Sequence, residues 1–211
     1  MFRNVIFDLD GTLVDSLPGI EWSVDEALSA CGLPARSRDL RALIGPTIRD
    51  ILATVSGVAD AGTLDRLVAA YRSSYDSLGW RKTMLQPGAR EVIERLHTAG
   101  CDLWVVTNKP GFASRLILTE LGLMGFFGEV VSRDSSTPPF ATKEQTLVNL
   151  LERRKLKSTE SIMVGDTLED CRAAAGAGIE CAVVAHGYGG GLDGPLPERC
   201  RLIDRWDELL E

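Results

Sequence analysis

One stretch near the N-terminus restricts what this chain can become. Val5-Ile6-Phe7-Asp8-Leu9-Asp10-Gly11-Thr12-Leu13-Val14 starts as a short apolar run, is broken by two carboxylates two positions apart, and continues into a glycine and a threonine. An apolar run bounded by a turn signal reads as a buried strand, which places Asp8 and Asp10 where that strand gives way to a loop. A carboxylate in apolar surroundings costs on the order of several kcal/mol unless a partner offsets it. One reading makes the two acids turn and cap residues, a use for which Asp is well suited. The other gives them a divalent cation, since Mg²⁺ takes one or two carboxylates and completes its shell with water and substrate phosphate. A carboxylate so placed can also attack phosphorus and become an aspartyl-phosphate.

After Val14 the pattern turns helical. Ile20, Val24, Ala27 and Leu28 recur at helical spacing, and Gly32 and Pro34 close the segment. Further helical stretches are predicted at 38–43, 47–55 and 63–78, separated by Gly45-Pro46 and by residues 56–62, so that 15–84 reads as a helical unit without a strand. From Gln86 onward strand and helix alternate. Helices are predicted from Pro87 to Ala99 and at 112–121, 142–154 and 168–177; strands are predicted at 102–107, 129–131, 161–165 and, last, 180–184, with a closing helix at 203–210. Alternation of this kind predicts an α/β fold with a parallel sheet, helices on both faces and right-handed crossovers. Ligands of such sheets bind beyond the carboxyl ends of the strands.

Asp8-Leu9-Asp10-Gly11-Thr12-Leu13, with its continuation Val14-Asp15-Ser16, resembles the first motif of the haloacid dehalogenase superfamily, in its phosphoglycolate-phosphatase-like branch. The resemblance implies a Rossmann-like core made of residues 1–14 and 85–211 and an inserted all-α cap at 15–84. The first strand would be central, with strands 102–107 and 161–165 beside it, bringing three loops to one place. It further implies Asp8 as nucleophile and Asp10 as general acid and base; dehalogenating members lack the second acid, so Asp10 points to phosphoryl chemistry. Thr107-Asn108-Lys109 resembles the second motif, in which a hydroxyl and an adjacent amide hold the transferring phosphoryl group. Gly165-Asp166-Thr167-Leu168-Glu169-Asp170, followed by an alanine-rich run, is similar to the fourth, which implies Asp166 as a metal ligand and Asp170 as a brace for its neighbours.

Phosphoryl transfer from a dianion needs more positive charge than Mg²⁺ alone supplies. The third motif's lysine falls on Lys143; many relatives place it directly before a proline, whereas here Pro138 and Pro139 precede it, and Lys109 is the alternative. The segment from Leu43 to Arg49 resembles the part of the cap that closes over the leaving group. Arg49 would there grip an anionic or polyhydroxylated group; by itself it reads equally as a solvated helix residue beside Asp50.

The implied activity is Mg²⁺-dependent hydrolysis of a small phosphorylated metabolite, phosphoglycolate-like or a sugar phosphate, with Asp8, the Asp10 carbonyl and Asp166 holding Mg²⁺. A phosphomutase of the β-phosphoglucomutase kind would share the core residues, and a pyrophosphatase or nucleotidase could use the same scaffold. A non-catalytic binding protein would have no need of both Asp8 and Asp10. The net charge of −7 argues against a nucleic-acid footprint, which requires a basic surface. No apolar run of about 18 residues offers a membrane span, and the N-terminus enters the first strand without room for a signal peptide. A soluble cytoplasmic protein, monomer or homodimer, is expected.

Five cysteines, Cys31, Cys101, Cys171, Cys181 and Cys200, are odd in number and lack a C-x-x-C pair, and are expected to be reduced packing residues forming neither a disulfide framework nor a zinc site. Gly187-Tyr188-Gly189-Gly190-Gly191 lacks the following helix that a phosphate cradle requires and is expected to be a mobile loop. Neither His97 nor His186 has the spacing of a catalytic partner.

Overall fold

A computed structural model describes residues 2–36, 39–44, 46–189, 192 and 194–210. In chain order the regular elements are β1 (Asn4–Phe7), β2 (Val14–Asp15), α1 (Leu17–Ala30), α2 (Ile48–Ser56), α3 (Ala61–Ser77), β3 (Met84–Leu85), α4 (Ala89–Thr98), β4 (Asp102–Thr107), α5 (Gly111–Glu120), β5 (Phe127–Ser132), α6 (Lys143–Arg154), β6 (Ser161–Gly165), α7 (Leu168–Gly176), β7 (Glu180–Val184) and β8 (Cys200–Ile203). The chain divides into two compact units, one formed by Met1–Asp15 and Leu85–Glu211, the other by Ser16–Met84.

In the first unit six strands form one sheet in the order β5-β4-β1-β6-β7-β8. Every pair in it is parallel, as the alternation of strands and helices predicts. The apolar N-terminal run lies between its two expected neighbours, with Ile6 opposite Trp104 on one side and Met163 on the other. Side chains alternate across the pleat. Helices α6 and α7 cover the face carrying Ile6, Val106, Val131, Met163 and Val183. On the opposite face the Phe7 ring meets Phe127 and Trp206 edge-on, with centroids 6.4 and 6.5 Å apart. Beyond Phe7 the ladder makes one more bond, Asp8 N to Val164 O at 2.8 Å, and then the strands part. The backbone thereby places Asp8 at the rim of the sheet.

The C-terminal end corrects two expectations. Residues 180–184 are not the last strand, because β8 continues the sheet with Cys200 opposite Cys181 and Ile203 opposite Val184. No closing helix spans 203–210; there is only a 3₁₀ turn at Trp206–Leu209. Ile203 is drawn inward as a strand residue, and Glu208 Oε1 takes the backbone N–H groups of Asp204 and Arg205 at 3.0 and 2.9 Å. Those bonds close a turn in the space a helix would need for its first winding. Trp206 pins the turn by donating Nε1–H to Pro87 O at 2.9 Å.

The second unit is helical, and its helix ends follow capping chemistry. Asp60 caps α3 through Thr63 N at 2.7 Å, which starts that helix ahead of the predicted 63. Thr47 caps α2, and Gly57 ends it with φ +67°, a conformation open to glycine without strain. Its core joins Ile20, Val24 and Leu28 of α1 to Leu52, Leu67 and Tyr71. The helix expected at 38–43 is reduced to a 3₁₀ turn at Arg41–Leu43; Arg38 and the predicted separator Gly45 lie outside the described residues. Among the described residues no helix is long and apolar enough to cross a membrane.

Candidate active site

The site is assembled from the carboxyl ends of β1, β4 and β6 in the first unit, so each strand delivers its polar residues where its hydrogen-bond ladder stops. The α7 N-terminus is built first by local chemistry. Thr167 and Asp170 form a capping box in which Asp170 Oδ2 accepts from Thr167 N at 3.0 Å, Thr167 Oγ1 at 2.7 Å and Asp166 N at 3.2 Å. That arrangement fixes Asp170 and leaves its other oxygen for Lys143 Nζ, 2.6 Å away. The same ammonium lies 2.7 Å from Asp8 Oδ1. Lys143 therefore bridges a residue from the first strand to one from the seventh helix, and it is only 4% exposed. The prolines that precede it leave it at the first position of α6, after the Thr142 cap, with its stem packed inward.

Asp166 is fully buried. Thr12 Oγ1 donates to its Oδ1 at 3.0 Å and Tyr188 N to its Oδ2 at 2.8 Å. The carboxylates of Asp8, Asp166 and Asp170 lie within 4.8 Å of one another, all three buried. Burial, and then repulsion from Asp170, pushes Asp166 up to about 7. Burial likewise holds the Asp8 carboxyl well above the usual range, against the pull of Lys143. For Lys143 burial acts the other way, yet Asp170 and Asp8 outweigh it and hold the ammonium firmly protonated.

Three buried carboxylates thus face one ammonium, an arrangement that is two positive charges short of neutrality once all three are ionised. Asp170 has both oxygens engaged, and each Asp166 oxygen accepts one hydrogen bond, from Thr12 and from Tyr188, which leaves a lone pair on each for a cation. This donor set fits a hard divalent cation held by Asp8 and Asp166, with Asp170 bracing them.

A second ion pair stands beside the first. Lys109 Nζ meets both oxygens of Asp10, at 3.0 and 3.1 Å, and is itself buried. The structure thus uses both lysines that the sequence offered as alternatives, one on each acid of the first motif. Thr107 is buried at the end of β4, its Oγ1 accepting from Lys109 N at 3.2 Å, and Asn108 donates Nδ2–H to Glu169 Oε2 at 2.9 Å. Arg49 belongs to the second unit, where its Nη1 is 2.6 Å from Asp65 Oδ1 at an exposed position.

Three participants have roles that the sequence did not show: Thr12, Tyr188 and Gly187, the last two within the run expected to be a mobile loop. Thr12 lay inside the motif and only its role was unread. Gly187 is packed so closely that a Cβ there would come within 2.1 Å of the Asp166 Cβ. The glycine run therefore supports the Asp166 carboxylate through Gly187 and the adjoining Tyr188 amide; Gly190 and Gly191 lie outside the described residues.

Residues 5–184 match a family model described as haloacid dehalogenase-like hydrolase. The chain is 33% identical over 198 residues to a phosphoglycolate phosphatase of Xanthomonas campestris pv. campestris, covering 92% of this chain and 88% of that one. It is 35% identical over 186 residues to the tyrosine-protein kinase PtkA of Mycobacterium tuberculosis, covering 88% of this chain but only 62% of that protein's length. In three dimensions it resembles the crystal structure of a predicted phosphoglycolate phosphatase from Haemophilus somnus 129PT, with TM-score 0.84, 27% identity and coverage of 99% and 96% of the two chains.

Proposed function

We propose, from the premise that this chain belongs to the haloacid dehalogenase-like hydrolases, that it is a Mg²⁺-dependent phosphomonoesterase acting on a small phosphorylated metabolite such as phosphoglycolate or a sugar phosphate. The observation that carries the reading is the buried carboxylate trio with its single bridging ammonium at the carboxyl ends of the central strands.

In this reading the Asp8 carboxylate attacks phosphorus, and the bond to the leaving alkoxide breaks while Asp10 delivers a proton to it. Asp10 then takes a proton from the water that opens the aspartyl-phosphate. Lys109, paired with both Asp10 oxygens, orients that carboxylate; Lys143 offsets charge between Asp8 and the phosphoryl group. Thr107 and the backbone beside it, with Asn108, receive the phosphoryl oxygens. Asp8, the Asp10 carbonyl and Asp166 would hold Mg²⁺, whose contribution is to neutralise phosphoryl charge. In the same reading the helical unit would serve as the cap that excludes water, and Arg49 would be its residue for the leaving group. A soluble cytoplasmic enzyme, monomeric or homodimeric, is part of the same reading.

The test is phosphate release from phosphoglycolate, a sugar phosphate and p-nitrophenyl phosphate, with Mg²⁺ or with excess chelator. Turnover is expected to vanish with chelator and to fall by about a thousandfold or more in Asp8→Asn, since an amide is no nucleophile. Full turnover in either case would sink the mechanism. The similarity to PtkA favours a second reading, transfer of phosphoryl groups to protein tyrosine, which incubation with ATP and a tyrosine peptide separates from hydrolysis.

A further inference from the structure

Three of the five cysteines, far apart along the chain, meet in space. Cys171 on α7, Cys181 on β7 and Cys200 on β8 point their sulfur atoms at one spot, each Sγ within 4.8 Å of the other two. Cys181 and Cys200 are directly opposed in the parallel β7–β8 ladder, and Cys200 Sγ also approaches Cys171 O at 3.9 Å. The first two thiols are buried and the third is partly exposed, which leaves one side open for entry. Apolar residues surround much of the cluster, with Ile179, Val183 and Ala174 in the core and Leu192 and Leu196 packed on it, and the buried Asp170 carboxylate acts on the Cys181 thiol from nearby. Among the described residues no histidine or carboxylate belongs to this group.

We propose that Cys171, Cys181 and Cys200 form a three-sulfur site for a soft d¹⁰ cation, separate from the hard-cation carboxylates. Metal–thiolate bonds of about 2.3 Å, spread in a plane around one ion, put the sulfurs about 4.0 Å apart. The observed spacing reaches that geometry with small side-chain movements. Soft sulfur donors without oxygen or nitrogen select thiophilic ions and reject Mg²⁺, so the two sites on this chain take different metals. All three donors stand on strands or a helix rather than on loops, so the site is positioned before any ion arrives. Binding replaces S–H bonds with metal–sulfur bonds, the protons leave to solvent, and no oxidant is involved.

The inference does not depend on the phosphatase reading, and its test reads sulfur ligation rather than turnover. Fully reduced protein in Mg²⁺ buffer is titrated anaerobically with Cd²⁺ while the ultraviolet thiolate-to-metal charge-transfer band is followed, a signal that carboxylate-bound Cd²⁺ does not produce. Saturation at one equivalent is expected. Cys200→Ser and Cys200→Ala, at the least buried of the three positions, are expected to weaken binding by about tenfold or more, and Cys31→Ser to leave it unchanged. Absence of the band, or a band that survives both Cys200 variants, overturns the site. So does protein isolated without reductant that titrates fewer than its five thiols in denaturant, since that result makes the cluster a disulfide pair.

Discussion

At the scale of single residues the two lysines divide the work between the two motif acids. Lys143→Ala leaves Asp8 and Asp170 facing each other in a buried pocket, and loss of one partner of such a pair costs about 3–5 kcal/mol. We expect a rate loss of about a hundredfold or more together with a lower Tm, measured by phosphate release and thermal unfolding. Lys109→Ala is expected to depress kcat, because its ammonium holds both oxygens of the Asp10 carboxylate. A wild-type kcat in Lys109→Ala would remove it from this role. A second expectation concerns pH. Asp166 is held up at about 7 by burial and by Asp170, whereas an unfolded Asp titrates near 3.9. The folded chain therefore holds this proton more tightly than the unfolded chain does. The stabilisation is complete below about pH 4 and is lost as the pH rises through about 7. A divalent cation on Asp8 and Asp166 removes that penalty, so the gain in Tm at one fixed Mg²⁺ concentration, about 5–10 °C where that concentration is a hundredfold over Kd, is expected to be larger at pH 8 than at pH 6. Equal gains at the two pH values would count against Asp166 as a ligand.

At the scale of elements the sheet carries the site, and its packing leaves little tolerance. A Cβ at Gly187 collides with Asp166, and one at Gly11, whose φ is +86°, would stand 2.3 Å from Asp166 Oδ2. Gly187→Ala is expected to push the carboxylate aside at a cost of about 1–3 kcal/mol, raising the Mg²⁺ concentration needed for half-maximal rate while circular dichroism stays native. An unchanged Mg²⁺ requirement would mean that the run does not position Asp166. This contact was invisible in the sequence, because Gly187 is distant from Asp166 along the chain and a glycine carries no chemical signal of what it approaches. The central strands were legible for the opposite reason: 102–107 and 161–165 contain the apolar runs 103–106 and 162–164, each ended by a polar turn, so local pattern and tertiary role agree. Strand β8 was missed because Cys200-Arg201-Leu202-Ile203 is short and sits at an edge, where Arg201 and Leu202 face solvent and blur the period. The carboxylates could be read from their motifs, since the capping box that fixes Asp170 is itself a sequence pattern. The thiol cluster could not, because its members meet only through strand order and register.

At the scale of the whole molecule the question, on the proposed reading, is how selectivity is added to the core. The Arg49–Asp65 pair is solvent-exposed and worth about 0–1 kcal/mol at most, so a ligand carboxylate or phosphate can displace Asp65 from the guanidinium. Arg49→Ala is expected to lower kcat/KM about tenfold on phosphoglycolate and a sugar phosphate and to leave p-nitrophenyl phosphate unaffected, because the artificial substrate offers nothing to grip. An equal loss on all three would move Arg49 to phosphate binding or to folding of the helical unit. The place where that unit is inserted has a consequence of its own. Gln86 N donates to Leu13 O at 2.9 Å, so the chain leaves and re-enters the core through positions already joined by a hydrogen bond. Whatever is spliced between them has its ends tethered by the core, and doubling its length costs only about 0.6 kcal/mol of closure entropy. A lineage built on such a junction can exchange the intervening cassette, short or long, while the reaction machinery is inherited intact.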